Sequence, residues 1–322
     1  MTSIPGTGRQ IPRGDTAPNR DAVTGAFGFT GRHITTRLLA DGREVINLTN
    51  HPDRPDPFEG RVETAPLNFA DPKALAASLG GVDTLYNTYW MRFARRGSPH
   101  RQAAQNSEIL FDAARAAGVR RIVHISIANP DANSPLPYYR GKALVEQSLI
   151  ASGIRCAILR PAALFGDEPI LVNTIAWMLR RLPIFGIPGD GQYGIQPTFV
   201  GDLANLAVAQ GQRNESLVVD AAGPERFTFD EFVGLIREAV GSHSLLLHLP
   251  PRLALMAAQG LGVMLRDVVM TREEVDGLLG NLLVSRHPPL GTTRFTDWLA
   301  DASPWIGKRY LSELGRRVPS AT

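Results

Sequence analysis

The chain has 322 residues, of which 43% are hydrophobic and 20% charged, and a formal net charge of +3. That length suits one large α/β domain with an appended lobe, or two domains, in ordinary globular material. The basic residues are scattered, which argues against nucleic-acid binding, and the lone cysteine, Cys156, excludes an internal disulfide and suits a reducing cytoplasm.

Residues 1–20 are polar, contain Pro, Gly and Arg, and show no periodicity; they read as a disordered tail without the apolar stretch of a secretory signal. The run Asp21–His33 follows. Ala22 and Val23 form a short apolar strand, glycines fall at 25, 28 and 31, and Ile34, Leu38 and Leu39 make the apolar face of a helix, with Arg32 and Arg37 polar. Strand, glycine turn and helix together predict a pyrophosphate seat. Gly25 allows the tight turn, Gly28 lets backbone N–H groups approach phosphates, and Gly31 lets the helix pack close to the strand. The helix N-terminus then presents free N–H groups and a partial positive charge to the anion. The spacing is Gly-x-x-Gly-x-x-Gly, not the commoner Gly-x-Gly-x-x-Gly.

Glu44–Thr49 reads as a second strand, Pro66–Phe69 as a short third, Pro72–Leu79 as a helix and Val82–Thr88 as a fourth strand. Gln102–Ala117 is a strong helix with Ile109, Leu110, Ala113 and Ala114 on one face, ended by Gly118. Arg121–Ser126 is a fifth strand, 139–152 a helix and Arg155–Arg160 a sixth strand. Strands alternating with helices predict an α/β fold, a Rossmann-type doubly wound parallel sheet. Ligands of such sheets bind beyond the carboxyl ends of the strands, where the strand order reverses.

From 167 the pattern changes. Ile170–Leu182 is an apolar helix and Pro183–Gly194 a Pro/Gly-rich loop. Pro197–Val200 and Leu217–Asp220 read as further sheet strands with a helix from Asp202 between them. Thr228–Glu231 and Thr271–Glu274 are capping boxes that open helices. The division is therefore a nucleotide-binding domain over 21–167, with 196–220 returning to the sheet, and a smaller, mostly helical C-terminal substrate lobe over 168–195 and 221–322. Leu253–Leu265 is apolar apart from Gln259 and is too short to span a bilayer. It reads as a buried lobe helix, with attachment to a membrane surface as the sharper alternative.

Only Lys73, Lys142 and Lys308 are lysines among 34 basic side chains, so a Lys at a suggestive position carries weight. Lys142 stands four residues after Tyr138, which puts both on one helix face at the carboxyl edge of the sheet. An ammonium near a phenol favours the phenolate, and such a pair can pass a proton to or from a substrate oxygen. With 6 Tyr and three Lys in 322 residues, composition alone gives about 0.06 such pairs. Ser126, ending the fifth strand, could hydrogen-bond the reacting oxygen. Tyr139 is the competing phenol, at an offset of three. The seven histidines lack metal-ligand spacing, and no cysteine pair exists for zinc, so no metal site is expected. His124 reads as a core histidine. The second strand ends Leu48-Thr49-Asn50-His51 without the acid that would bind ribose hydroxyls, while Arg32 and Arg54 are close enough in sequence to meet a 2′-phosphate. That tilts the cofactor toward NADP over NAD.

These residues resemble the short-chain dehydrogenase/reductase superfamily, in its extended and atypical branch of epimerase/dehydratase-like and NmrA-like members. The residues that carry the resemblance are Thr24–Gly31, Ser126 twelve residues before Tyr138, Arg160–Gly166, Gln196–Asp202 and Gly223–Glu231, and it covers roughly 21–320. The branch includes the nucleotide-binding accessory subunit of respiratory complex I. The resemblance implies that Gly25, Phe27, Gly28, Phe29 and Gly31 meet the pyrophosphate and that Asn50 and His51 sit by the adenosine ribose. It further implies that Asn68 and Phe69 flank the adenine, Asn87 and Thr88 line the path to the nicotinamide, and Lys142 bonds the nicotinamide ribose. Pro161 would lie against the nicotinamide. Two departures stand out. The fourth strand runs into Asn87-Thr88-Tyr89-Trp90 where the family has small residues. Ile127-Ala128-Asn129 follows Ser126 where dehydratases carry an acid.

The sequence therefore points to a cytoplasmic NAD(P)-dependent oxidoreductase or epimerase-like enzyme acting on a small carbonyl or hydroxyl substrate. Tyr138 would be the acid–base, Lys142 its tuning group and Ser126 the orienting hydroxyl. Tyr89, Trp90, Met91, Phe93, Trp177 and Met178 suggest an apolar substrate, and a homodimer is an allowed assembly. The alternative is a regulatory or assembly protein that binds NAD(P) without turnover.

Overall fold

The computed structural model describes residues 2–3, 20–91, 99–312 and 314–315. The chain packs into two compact units, one of residues 1–161 with 203–220, the other of 162–202 with 221–322.

The first unit is built on a central parallel sheet. Its strands are β1 (Arg20–Thr24), β2 (Glu44–Thr49), β3 (Glu63–Pro66), β4 (Thr84–Asn87), β5 (Arg121–Ile125), β6 (Arg155–Arg160) and β7 (Leu217–Asp220). They lie in the order β3-β2-β1-β4-β5-β6-β7. Helices α1 (Phe29–Ala40), α2 (Pro72–Ser78), α3 (Pro99–Ala116) and α4 (Pro137–Ala151) connect them. Parallel strands covered on both faces must be apolar throughout, which is why Ala22-Val23, Val45-Ile46 and Ile122-Val123 run as unbroken buried stretches. Leu110, Phe111, Val145 and Leu149 from α3 and α4 join Leu48, Leu85, Ile122 and Ile158 in one core. Chain order reverses between β1 and β4, the switch point at which such sheets bind ligands.

Several elements differ from the sequence reading. The third strand pairs over Glu63–Pro66 against Ile46–Thr49, earlier than Pro66–Phe69, because the Asn68 side chain accepts the Ala70 N–H and turns the chain. Thr2–Ser3, assigned to a disordered tail, pairs antiparallel with Leu217–Val218; residues 4–19 lie outside the described residues. Of the two strands expected to return, only Leu217–Asp220 joins the central sheet.

In the second unit Pro197–Phe199 pairs parallel with Ala163–Phe165 in a separate two-stranded sheet. The Pro/Gly-rich loop contains the strand Ile184–Pro188, parallel to Leu245–Leu249. Both capping boxes form, with Thr228 and Thr271 accepting from the amides of Glu231 and Glu274. An aromatic cluster of Phe165, Phe229, Phe232 and Phe295 fills the core. The helix Pro251–Leu265, expected to be buried, exposes most of one face: Leu253, Met256, Val263 and Met264 are 52–81% exposed.

Candidate functional site

The glycine loop forms at the carboxyl end of β1. Gly25 has φ +66°, a left-handed conformation that favours glycine. Its N–H donates to Leu48 O at 2.9 Å, and Gly28 N–H donates to Gly25 O at 2.8 Å. A Cβ on Gly31 would lie 2.1 Å from Gly25 O, so α1 could not approach the loop with any side chain there. A Cβ on Gly28 would stand 3.1 Å from Gly25 O and 3.7 Å from Arg54 Nη1. Helix α1, capped by Gly28, has no side-chain cap and no acid in its first turn, so its N-terminal partial positive charge faces the loop without a competing carboxylate. Asn47, inside β2, accepts the Ala26 N–H at 2.9 Å and ties the loop to the sheet. This cradle, which a Cβ would fill, fits a pyrophosphate.

Around it, Arg32 and Arg54 are half-buried, while Asn50 and His51 are exposed in the turn after β2, where Thr49 Oγ1 accepts the His51 N–H. Phe27 packs on Phe58 and Phe29 on His33. Phe69 packs on Tyr89 at 4.9 Å between ring centres, and Asn68 is exposed.

At the switch point a polar lattice joins β1 to β4. Thr24 Oγ1 donates to Asn87 Oδ1 and accepts the Thr88 N–H at 2.7 Å, while Thr88 Oγ1 donates to Thr24 O. Asn87 Nδ2 donates to His124 Nδ1 at 3.1 Å, which places the imidazole proton on Nε2. Burial and then the nearby Lys142 push His124 well below the usual histidine range, so it stays neutral. Tyr89 Oη accepts from Asn106 Nδ2 at 2.7 Å.

Helix α4 carries Tyr138 and Lys142, the pair read from the sequence as acid–base. Pro137 fixes its first turn, and Tyr138, Lys142 and Glu146 then recur every four residues on one face. Lys142 is 4% exposed. Its Nζ donates to Ile125 O at the end of β5 at 3.0 Å and lies 4.5 Å from the centre of the Trp90 ring. Burial pulls Lys142 down to about 7, against the opposing pull of Glu146. Near neutral pH it can therefore hold or release a proton. The Trp90 ring stacks on His100, and the half-buried Tyr138 ring meets both edge-on at 5.5 Å. Gly141 makes room for this stack, since its Cβ would lie 3.0 Å from Trp90 Cη2. Tyr139 is buried and its phenol is pushed up by that burial, whereas Tyr138 is half-buried.

Ser126 is turned onto α4. Its hydroxyl donates to Glu146 Oε1, and Arg160 from the end of β6 forks the same carboxylate, Nε at 3.0 Å and Nη2 at 2.5 Å. A carboxylate only accepts, so the serine proton is committed and its lone pairs are what remain for a ligand. Pro161 is buried, and its carbonyl accepts the Ala128 N–H, extending the β5–β6 pairing past Ser126.

Of the apolar residues read as flanking a pocket, Tyr89 and Trp90 are in this constellation and Phe93 lies outside the described residues. Trp177 and Met178 belong to the second unit, where Trp177 packs on Tyr310. The sequence reading missed Asn47, His100 and Glu146. Asn47 was signalled by a polar residue inside an apolar strand, and Glu146 by the continuing four-residue spacing; His100 carried no signal.

Residues 25–176 match the NAD(P)H-binding family. The chain is similar to the mitochondrial NADH dehydrogenase (ubiquinone) 1 alpha subcomplex subunit 9 of Dictyostelium discoideum, 26% identical over 69% of this chain and 64% of that one, so it spans just under two thirds of that relative's length. It is also similar to sterol demethylase protein B of Methylococcus capsulatus, 29% identical over 72% of this chain and 77% of that one. Among solved structures, the NADPH-dependent quinone oxidoreductase of Escherichia coli complexed with NADPH superposes with a TM-score of 0.69 at 22% identity, over 87% of this chain and 98% of that one. No described helix is long and apolar enough to cross a membrane. Residues 25–176 thus carry the match to the NAD(P)H-binding family, in a chain whose fold is the Rossmann-type α/β fold of that solved structure.

Proposed function

We propose that the protein is an NAD(P)-dependent oxidoreductase or epimerase-like enzyme that acts on a small hydroxyl- or carbonyl-bearing substrate. The observation that carries this reading is Lys142: a buried ammonium, four residues after Tyr138, fixed on Ile125 O at the carboxyl end of the sheet. A protein that only binds a dinucleotide needs the glycine loop but not a phenol four residues before that ammonium. The bound nicotinamide would supply or accept hydride. Tyr138 gives or takes the substrate proton, Lys142 holds a positive charge near the phenol and favours its ionised form, and Ser126 accepts from a substrate donor. Arg54 beside Gly28, Arg32 on the first turn of α1 and the absence of an acid in Leu48–His51 at the end of β2 favour NADP over NAD. Buried Cys156 suits a reducing cytoplasm.

The test is NADPH binding by fluorescence, followed by a screen of carbonyl and alcohol substrates with the wild type and Tyr138→Phe. Turnover lost with binding kept supports the enzyme. NADPH preferred over NADH, with the preference lost in Arg54→Ser, supports the cofactor assignment. A second reading, a nucleotide-binding subunit of a larger assembly, is favoured by the similarity to subunit 9. Binding without turnover across the panel would select it, and no binding at all would defeat both.

A further inference from the structure

The helix Pro251–Leu265 of the second unit is the feature that the nucleotide site leaves unexplained. Ala254 and Gly262 face inward, and a Cβ on Gly262 would lie 2.7 Å from Asp267 O. The outward positions are Leu253, Met256, Ala257, Gly260, Val263 and Met264. At 3.6 residues per turn they fall within an arc of about 120°. The side chains on this arc are not grazing water: Leu253 is 52%, Met256 65%, Met264 68% and Val263 81% exposed. The arc carries no aromatic ring and no side-chain hydrogen-bonding group.

Charge decides what this face fits. Exposed Arg252, Gln259 and Arg266 lie together along one border of the arc. From Ala239 to Arg266 the sequence has no Asp or Glu. The next acid, Asp267, is turned inward, accepting the Tyr310 hydroxyl at 2.7 Å and the Leu314 N–H. With no acid along the helix and arginines on its border, the face is electrostatically complementary to an anionic surface. An aliphatic stripe bordered by arginine is the pattern of a helix lying in the interface of an anionic bilayer, its apolar side in the acyl boundary and its guanidinium groups among headgroup phosphates. Fifteen residues make a helix of about 22 Å, too short for a hydrocarbon core of about 30 Å, so it can lie along the membrane but not cross it.

We propose that the Pro251–Leu265 helix docks this protein onto the surface of a membrane containing anionic lipid.

The test is flotation of the full chain with vesicles of phosphatidylcholine alone and of phosphatidylcholine mixed with phosphatidylglycerol. The expected result is co-flotation with the anionic vesicles, weakened as salt is raised from ~0.1 M to ~0.5 M. The double variant Met256→Glu, Val263→Glu should lose binding by tenfold or more, because about tenfold in partitioning follows from withdrawing each such side chain. Arg252→Gln with Arg266→Asn should lose roughly fivefold per charge on the anionic vesicles. All four positions are exposed, so thermal unfolding of the variants should match the wild type. The proposal is overturned if the wild type floats with neither vesicle, or if the glutamate variant binds as well as the wild type. It is equally overturned if the face instead mediates self-association, seen as a concentration-dependent dimer that the glutamate variant abolishes, with no vesicle binding.

Discussion

Lys142→Met tests the electrostatics of the site directly. Burial lowers the Lys142 ammonium from 10.5 to about 7. Each tenfold in proton affinity is about 1.4 kcal/mol, so holding the charge inside the fold costs roughly 5 kcal/mol. Met keeps the length and loses the charge, at the expense of about 1 kcal/mol for leaving Ile125 O without its donor. The sign of the pH dependence follows from proton counting. Below pH ~7 the lysine is charged in both states, and the native protein carries the full cost. Between about 7 and about 10.5 the unfolded chain holds more protons than the folded one, so wild-type stability gains up to ~1.4 kcal/mol per pH unit from this group. Lys142→Met should therefore be more stable than wild type by a few kcal/mol at pH ~6, with the advantage shrinking steadily toward pH ~9. Urea unfolding followed by far-UV circular dichroism on both proteins at each pH gives the difference and cancels slopes from other groups. A difference that stays constant from pH ~6 to ~9 would refute the assignment, because a lysine of ordinary affinity does not titrate in that window.

Gly31→Ala places a Cβ 2.1 Å from Gly25 O; it should cost about 2–3 kcal/mol in stability and weaken NADPH binding at least ~10-fold, read by thermal unfolding and fluorescence titration. Glu146→Gln leaves Arg160 without its carboxylate and should destabilise by about 2–4 kcal/mol. Because Glu146 opposes the fall of Lys142, the same variant should move the onset of the Lys142-dependent rise in stability to lower pH. Gly141→Ala drives a methyl against Trp90 Cη2 and the His100 backbone; it should cost about 1–3 kcal/mol and change the Trp90 emission.

What the sequence showed, and what it hid, divides by range. The Gly25, Gly28 and Gly31 reading depended on side chains being absent, a local property: Gly25 holds φ +66°, and a Cβ would stand 3.1 Å from Gly25 O at Gly28 and 2.1 Å at Gly31. Tyr138 and Lys142 share a face because helix spacing is also local. The strand Ile184–Pro188 was invisible because its partner, Leu245–Leu249, is remote in the chain and its own composition is that of a loop. Pro197–Phe199 has the same character: an apolar run announces a strand but not which sheet it joins. Glu146 acquires its role from Ser126 just past one strand and Arg160 at the end of another, a meeting that only the folded sheet creates. Leu253–Leu265 was misread as buried, because apolar composition is shared by a core helix and by one that faces outward.

The committed serine proton narrows the chemistry of the proposed enzyme. Glu146 is 4% exposed and takes both the Ser126 hydroxyl and the Arg160 fork, so releasing the serine proton toward a ligand would strip a hydrogen bond from a buried carboxylate. Ser126 can then accept from an alcohol but cannot polarise a carbonyl oxygen without that loss. Tyr138 and Lys142 remain the groups able to donate. A bound alcohol can donate its hydroxyl proton to Ser126 while its oxygen accepts from neutral Tyr138, whereas a carbonyl leaves Ser126 without a donor; for oxidation the hydroxyl must turn that proton to the Tyr138 phenolate. On that ground the alcohol is the better-bound partner of this site. In the substrate screen, secondary alcohols with oxidised cofactor should therefore show the lower KM, and Ser126→Ala should raise the KM for alcohols more than that for the matching carbonyls.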